Sequence, residues 1–182
     1  MTEMRILTVR QPWAWAIIHG GKDVENRVRN IAGDYRGPVA IHAGIAYDRG
    51  SHLESEPLRA AQDKAAVAAG AEVYPGGYTW DIGQPDPRKA WNIHGAIIGV
   101  VDLVSVHKAE TCQDWGPVDA GTIDHYWCSP WADVDTHHLK LANPRPLATP
   151  IPYKGALGLR RLDKETIDTI TAALAAETGE GS

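Results

Sequence analysis

The chain has 182 residues, 43% hydrophobic and 23% charged, with 18 Lys and Arg against 23 Asp and Glu for a formal net charge of −5. A chain of this length buries a sizeable core within one domain, and its negative balance argues against gripping long nucleic acid by bulk electrostatics, which needs clustered cations. No apolar run approaches the roughly 18 residues of a membrane span, and MTEMRILTV at the N-terminus lacks the apolar length and cleavage site of a signal peptide, so a cytoplasmic location is expected.

Arg5 to Val9 reads as a first strand leading into a short apolar helix, Trp13 to His19. Gln11-Pro12 opens that helix, with Pro12 suited to the first helical position because its missing N–H has no partner there anyway. Gly20-Gly21 ends it with residues that accept positive φ. Trp13, Ala16 and Ile17 share the expected core face, while Gln11, Trp15 and His19 form a neighbouring stripe that either lines a pocket or lies on the surface. Lys22 to Arg27 then carries four charges in six residues. In an extended strand over Asp23 to Arg29, Asp23, Glu25 and Arg27 fall on one side. Ile31 to Arg36 is a turn-rich loop, and Val39 to Ala43 a buried strand holding His42, a position where histidine is commonly a hydrogen-bonded core residue.

Arg49 to Gly70 is an alanine-rich helix that Pro57 breaks or restarts. Glu72 to Trp91, rich in Gly, Pro, Tyr and Trp, reads as a long loop, so the stretch from 47 to 93 is expected to be an insertion or lid. Gly95 to His107 is the strongest strand. Asp102 interrupts its apolar run and needs a partner, for which Lys22 and Arg27 are candidates, or else a place in a cleft. Glu110 to Asp135 is loop-like, with short helical pieces at 124–127 and 129–132. Cys112, His125, Cys128 and His137 or His138 form a nominal set, but their spacing fits no standard zinc pattern and there is no C-x-x-C. No metal, cofactor or disulfide is therefore expected. His137 to Ala142 is a strand, followed by a proline-rich, edge-like path through Pro152. Gly155 to Leu162 is a last strand, and Asp163 caps a final helix over Lys164 to Glu177 with Ile167, Ile170 and Leu174 on one face. Many short strands, long excursions and few helices predict an α+β fold built on a barrel.

Four blocks carry a family resemblance: Gln11-Pro12-Trp13-Ala14 with Gly20-x-Lys22-x-x-Glu25-x-Arg27, then Ile41-His42-Ala43-Gly44, Gly95 to Val104, and Tyr153 to Leu159. The first resembles the G-x-K-x-x-E-x-R signature of the ASCH domain and the QPWA that opens its helix. The resemblance implies a PUA-like β-barrel with flanking helices over residues 1–182, carrying the 47–93 insertion and a cleft between the first helix and the barrel, with His42 beside it. It implies as partner RNA, single-stranded nucleic acid or a modified nucleoside. In that reading Lys22 and Arg27 contact phosphate, Glu25 accepts hydrogen bonds from a base amino group, and Trp13, Trp15 or a loop aromatic stacks on a base. The alternative is a small hydrolase, a ribonuclease or an amidohydrolase similar to those acting on acetylated cytidine, with Lys22 and Glu25 catalytic. Those relatives use a Lys, a Thr three residues later and a distant Glu. Here Glu25 stands at the threonine's place, and Asp102 or Asp124 are the candidates for the distant acid. A third reading makes Lys22, Glu25 and Arg27 a structural ion-pair network.

Overall fold

The computed structural model describes residues 3–48, 50, 55–74, 77–79, 87–112 and 128–179. Its centre is a six-stranded mixed sheet formed by β1 (Arg5–Gln11), β2 (Val24–Arg27), β3 (Gly37–Tyr47), β6 (Ala96–Lys108), β7 (His137–Pro152) and β8 (Leu159–Arg161), in the order β2-β7-β6-β3-β1-β8. β1 and β3 are parallel, joined through α1 (Trp13–His19) and β2, and the other pairings are antiparallel. A separate hairpin, β4 (Glu72–Tyr74) with β5 (Gly77–Thr79), follows α2 (Glu56–Ala68), and α3 (Lys164–Gly179) ends the fold.

The pleat sorts the strands between two cores. Leu7, Val9, Val39, Ile41, Val101 and Leu103 meet Ala14, Ile17 and Ile18 of α1 on one face. Ile6, Ala40, Ile97 and Val100 meet Ile170 of α3 on the other, with Ile167 and Leu174 packed partly against them. Each fully buried aliphatic side chain contributes about 2 kcal/mol through loss of water contact. A third cluster gathers Trp15, Trp91 and Trp131 around Leu58 of α2 and Val24 of β2. Two elements begin as their sequences predict. Asp163 accepts from the Thr166 N–H at 2.8 Å ahead of α3, and Pro57 stands in the first turn of α2, where Ser55 Oγ accepts from Leu58 N–H at 3.4 Å.

Several expectations need correction. Among the described residues the backbone ladder runs from β2 at one edge to β8 at the other without closing, so the strand pairing gives the expected α+β sheet but not the barrel closure. It is nevertheless curled, because Arg27 of the edge strand β2 donates from Nη2 to the Thr8 carbonyl of β1 at 3.1 Å. β1 extends through Gln11, and a cis Gln11–Pro12 bond precedes a helix whose first residue is Trp13. Gln11 is fully buried and serves as a brace, its Oε1 accepting from Trp15 N–H at 3.0 Å and its Nε2 donating to the Ile93 carbonyl at 2.8 Å. β7 continues through its prolines to Pro152. From residue 143 onward it pairs only with β6, so one side of the strand needs no donors and proline is tolerated there. Asp102 does meet a cation, but neither predicted one. Arg145 Nη2 lies 2.5 Å from Oδ1 and Asn143 donates to Oδ2 at 2.9 Å. Burial alone would raise this carboxyl, but the Asn143 and Arg145 bonds and the Arg145 charge hold it below its ordinary value.

Candidate functional site

The turn after α1 places the first functional side chain. Gly21 adopts φ +76°, a conformation glycine takes without strain, and the chain folds back so that Lys22 N–H bonds the Ala16 carbonyl at 2.9 Å. The Lys22 side chain is thereby carried under the helix between two indoles. Its Nζ lies 5.3 Å from the Trp13 ring centre and 5.4 Å from that of Trp131, within the range of cation–π attraction. Lys22 is 5% exposed. Burial pulls its pKa down, against the nearby carboxylates of Glu25, Asp133 and Asp23, which push it up. Among the described residues, none of these carboxylates reaches ion-pairing distance of Nζ.

Glu25 and Arg27 stand two apart on β2, on one side as the pleat requires, and pair at 2.9 Å. Arg27 Nη2 serves both Glu25 and the Thr8 carbonyl, while its buried Nε has no hydrogen-bond partner among the described residues. Asp23 departs from the expected arrangement. It precedes the strand, and its carboxylate is taken by Lys140 Nζ at 3.0 Å and by the Ser129 hydroxyl.

Two clefts, of about 680 and 690 Å³, open on either side of a shared wall of Trp13, Glu25 and Asn26. Their charge differs. The first holds Lys22 and Trp131 with four carboxylates, Glu25, Asp48, Glu56 and Asp133. The second holds Arg10, Arg27 and Lys154 with Glu25 and His42. Asn26 supports the partition, donating to the Trp131 carbonyl at 2.8 Å and accepting from Asp133 N–H at 3.1 Å. His42 is buried, its Nε2 lies 2.9 Å from the Tyr153 carbonyl, and its Nδ1 has no partner among the described residues. Because a carbonyl only accepts, Nε2 carries the proton and Nδ1 is a bare acceptor. Burial lowers the His42 pKa, although the bond to Tyr153 works the other way. Gly155 permits this packing, since a Cβ there would come within 2.6 Å of the His42 ring.

Trp13, Lys22, Glu25, Arg27 and His42 thus line the two clefts, and Trp15 does not. Trp15 is 3% exposed and packs edge-on against Trp91, with ring centres 5.1 Å apart. The helix is buried on two sides, by the sheet and by the tryptophan cluster, so Gln11 and Trp15, on the stripe read as either pocket or surface, face core instead, and Trp13 takes the rim. His19 is exposed. Asp102 lines neither cleft, while Asp124 and His125 lie outside the described residues. Sequence reasoning passed over Trp131, Asn26, Arg10 and Lys154. The first comes from a distant segment, Lys154 stands in the Tyr153–Leu159 block with no role assigned to it, and Arg10 and Asn26 are not among the residues that define the signature. It also set aside Cys112, Cys128 and His138, which do come together, joined by an unforeseen His107.

No curated protein matches the chain significantly. The ASCH domain profile matches residues 7–143, three quarters of the chain, including α1, the Lys22–Arg27 segment, β3 and β6 but not the Tyr153–Leu159 stretch. The chain belongs to the ASCH domain family.

Proposed function

We propose that this protein binds RNA or a nucleotide-sized piece of it in the double cleft lined by Lys22, Glu25 and Arg27. ASCH domains are generally thought to bind RNA. The observation that carries the finer reading is the division of charge across the Trp13–Glu25–Asn26 wall. A nucleotide has an uncharged aromatic part rich in donors and an anionic part rich in acceptors. The carboxylate-bearing lobe suits a base, whose amino groups are donors, with Trp13 or Trp131 as stacking surface and Lys22 donating to a base carbonyl. The lobe with Arg10 and Lys154 suits the phosphate. Arg27, committed to Glu25 and Thr8, fixes the wall and contributes charge at a distance. The PUA-like barrel belongs to the same proposal, supported by the Arg27–Thr8 bond across the curled sheet. So does the 47–93 insertion, whose Ser55, Glu56 and Pro57 border the first lobe.

Tryptophan fluorescence titration with nucleosides, nucleoside monophosphates and short single-stranded RNAs tests this. Monophosphates are expected to bind at least about tenfold more tightly than nucleosides, a gain near 1.4 kcal/mol. Lys154→Ala combined with Arg10→Ala should erase that gain, and Lys22→Ala should weaken every ligand. Unchanged binding by Lys22→Ala, or no binding anywhere in the panel at low salt, rejects the reading. The lowered pKa of Lys22 beside Glu25 favours hydrolysis as a second reading, with Lys22 as nucleophile or base. Product formed in the same tubes by the parent protein and absent with Lys22→Ala would make the protein an enzyme.

A further inference from the structure

We infer that His107, Cys112, Cys128 and His138 form a closed, four-ligand Zn²⁺ site, separate from the double cleft. The four donor atoms all lie within 4.8 Å of one another. Cys112 Sγ is 3.1 Å from His107 Nε2 and 3.2 Å from His138 Nδ1, and Cys128 Sγ is 3.4 Å from His138 Nδ1. A tetrahedral zinc centre with Zn–S near 2.3 Å and Zn–N near 2.0 Å has S···N edges of about 3.5 Å. The three contacting S···N edges therefore open slightly to accept the ion, while the wider pairs, up to 4.8 Å apart, draw in around it.

The fold builds this geometry from opposite ends. His107 of β6 and His138 of β7 are register partners, and their rings meet edge-on with centres 5.2 Å apart. Cys112 follows the short 3-10 turn Ala109–Thr111, and Cys128 opens the turn that carries Trp131. The spacing H-x4-C-x15-C-x9-H has no sequence signature because the pairing of the histidines is a property of the ladder.

The surrounding contacts are those a metal site requires. His138 is fully buried, and its Nε2 lies 2.8 Å from the Asp133 carbonyl, so the proton sits on Nε2 and the Nδ1 lone pair is aimed at the sulfurs. A backbone acceptor behind a ligating imidazole fixes both its tautomer and its orientation. Lys140 Nζ donates to the Cys128 carbonyl at 2.9 Å and holds that turn against β7. Two thiolates and two neutral imidazoles bring the charge of a zinc centre to zero, which removes the penalty of burying a bare dication. The mixed S₂N₂ donor set selects zinc over oxygen-seeking cations, and four protein ligands leave no open position for catalysis. When loaded, the ion pins the ends of β6 and β7 to the turn that carries Trp131, the wall opposite Trp13 around Lys22.

Protein purified without chelators or immobilised-metal resin and kept reduced should contain one zinc per chain by elemental analysis. Exchange with Co²⁺ should give intense tetrahedral d–d bands and thiolate-to-metal charge transfer. Cys128→Ser should lose the zinc, whereas His137→Ala, which alters the neighbour of His138 outside the cluster, should keep zinc and spectrum unchanged. If Cys128→Ser fails to fold, the cobalt spectrum of the parent protein and His107→Gln decide, the latter keeping thiolate charge transfer with shifted d–d bands. Metal-free parent protein that takes up no Co²⁺, Co²⁺ bands without thiolate character, or a Cys112–Cys128 disulfide in place of metal overturns the assignment.

Discussion

Lys22 is an expensive residue. An ammonium that is 5% exposed and has no ion pair among the described residues has lost most of its hydration, and two cation–π contacts restore only part of it. Replacement by methionine, which keeps the aliphatic bulk, should leave thermal stability unchanged or raise it while weakening ligand binding. A fall in Tm with unchanged affinity would point to a structural role instead. Because burial depresses the Lys22 pKa, the charged form fails on the alkaline side before the ordinary value of 10.5 is reached. Affinity for ligands that accept from Lys22 should therefore decline below pH 10.5, and a titration in the Lys22→Met background should lose that limb. Glu25 and Arg27 behave differently. With the arginine removed, the carboxylate stays in the wall without its partner, so Arg27→Ala should cost about 1–2 kcal/mol in denaturant melts, discounted because the guanidinium is 30% exposed. His42 carries the opposite pH limb. Its folded pKa lies below 6.5, so the unfolded chain binds the proton first as pH falls. Stability should drop on acidification through that value, and His42→Gln should flatten the slope between the two pKa values.

At the scale of elements, the local signals were legible and the pairings were not. The Gly20-Gly21 stop, the start of α2 with Pro57 in its first turn and the cap at Asp163 are written within a few residues, and each appears where its chemistry demands. The run from Gly95 to His107 marks β6 almost to the residue. The full length of β7 was hidden because its prolines forbid a central strand, and only the knowledge that β2 stops at its Lys140 register makes them acceptable. The partner of Asp102 was hidden for the same reason: Arg145 faces it through a β6–β7 register with three irregularities. Of the site, the half carried by α1 and β2 was visible as a charge cluster after a glycine stop. Trp131, Lys154 and the His107–His138 pair come from strands and turns far along the chain. Gly155→Ala tests one such long-range fit. A methyl group there must displace the His42 ring and should cost about 1–3 kcal/mol, with the second lobe narrowed and phosphate-dependent affinity reduced.

Across the whole molecule, the acidic balance and the few cations of the second lobe bound the strength of any nucleic-acid contact. If Arg10 and Lys154 meet two phosphates, with Arg27 adding charge at a distance, log affinity for single-stranded RNA should fall against log salt with a slope of about −1 to −2. A much steeper slope would mean a footprint extending beyond the double cleft. No helix among the described residues is long and apolar enough to cross a membrane. The open sheet has a further consequence, for self-association. An uncapped strand is a template on which a second copy can add its own. β2 is four residues long and β8 three, and the stretch of β7 beyond β2 is punctuated by Pro144, Pro146, Pro150 and Pro152, which withhold the donors an incoming strand would need. Substituting those prolines with β-branched residues would present a longer adhesive border, and light scattering at elevated protein concentration would register the growth of fibrous or sheet-linked assemblies.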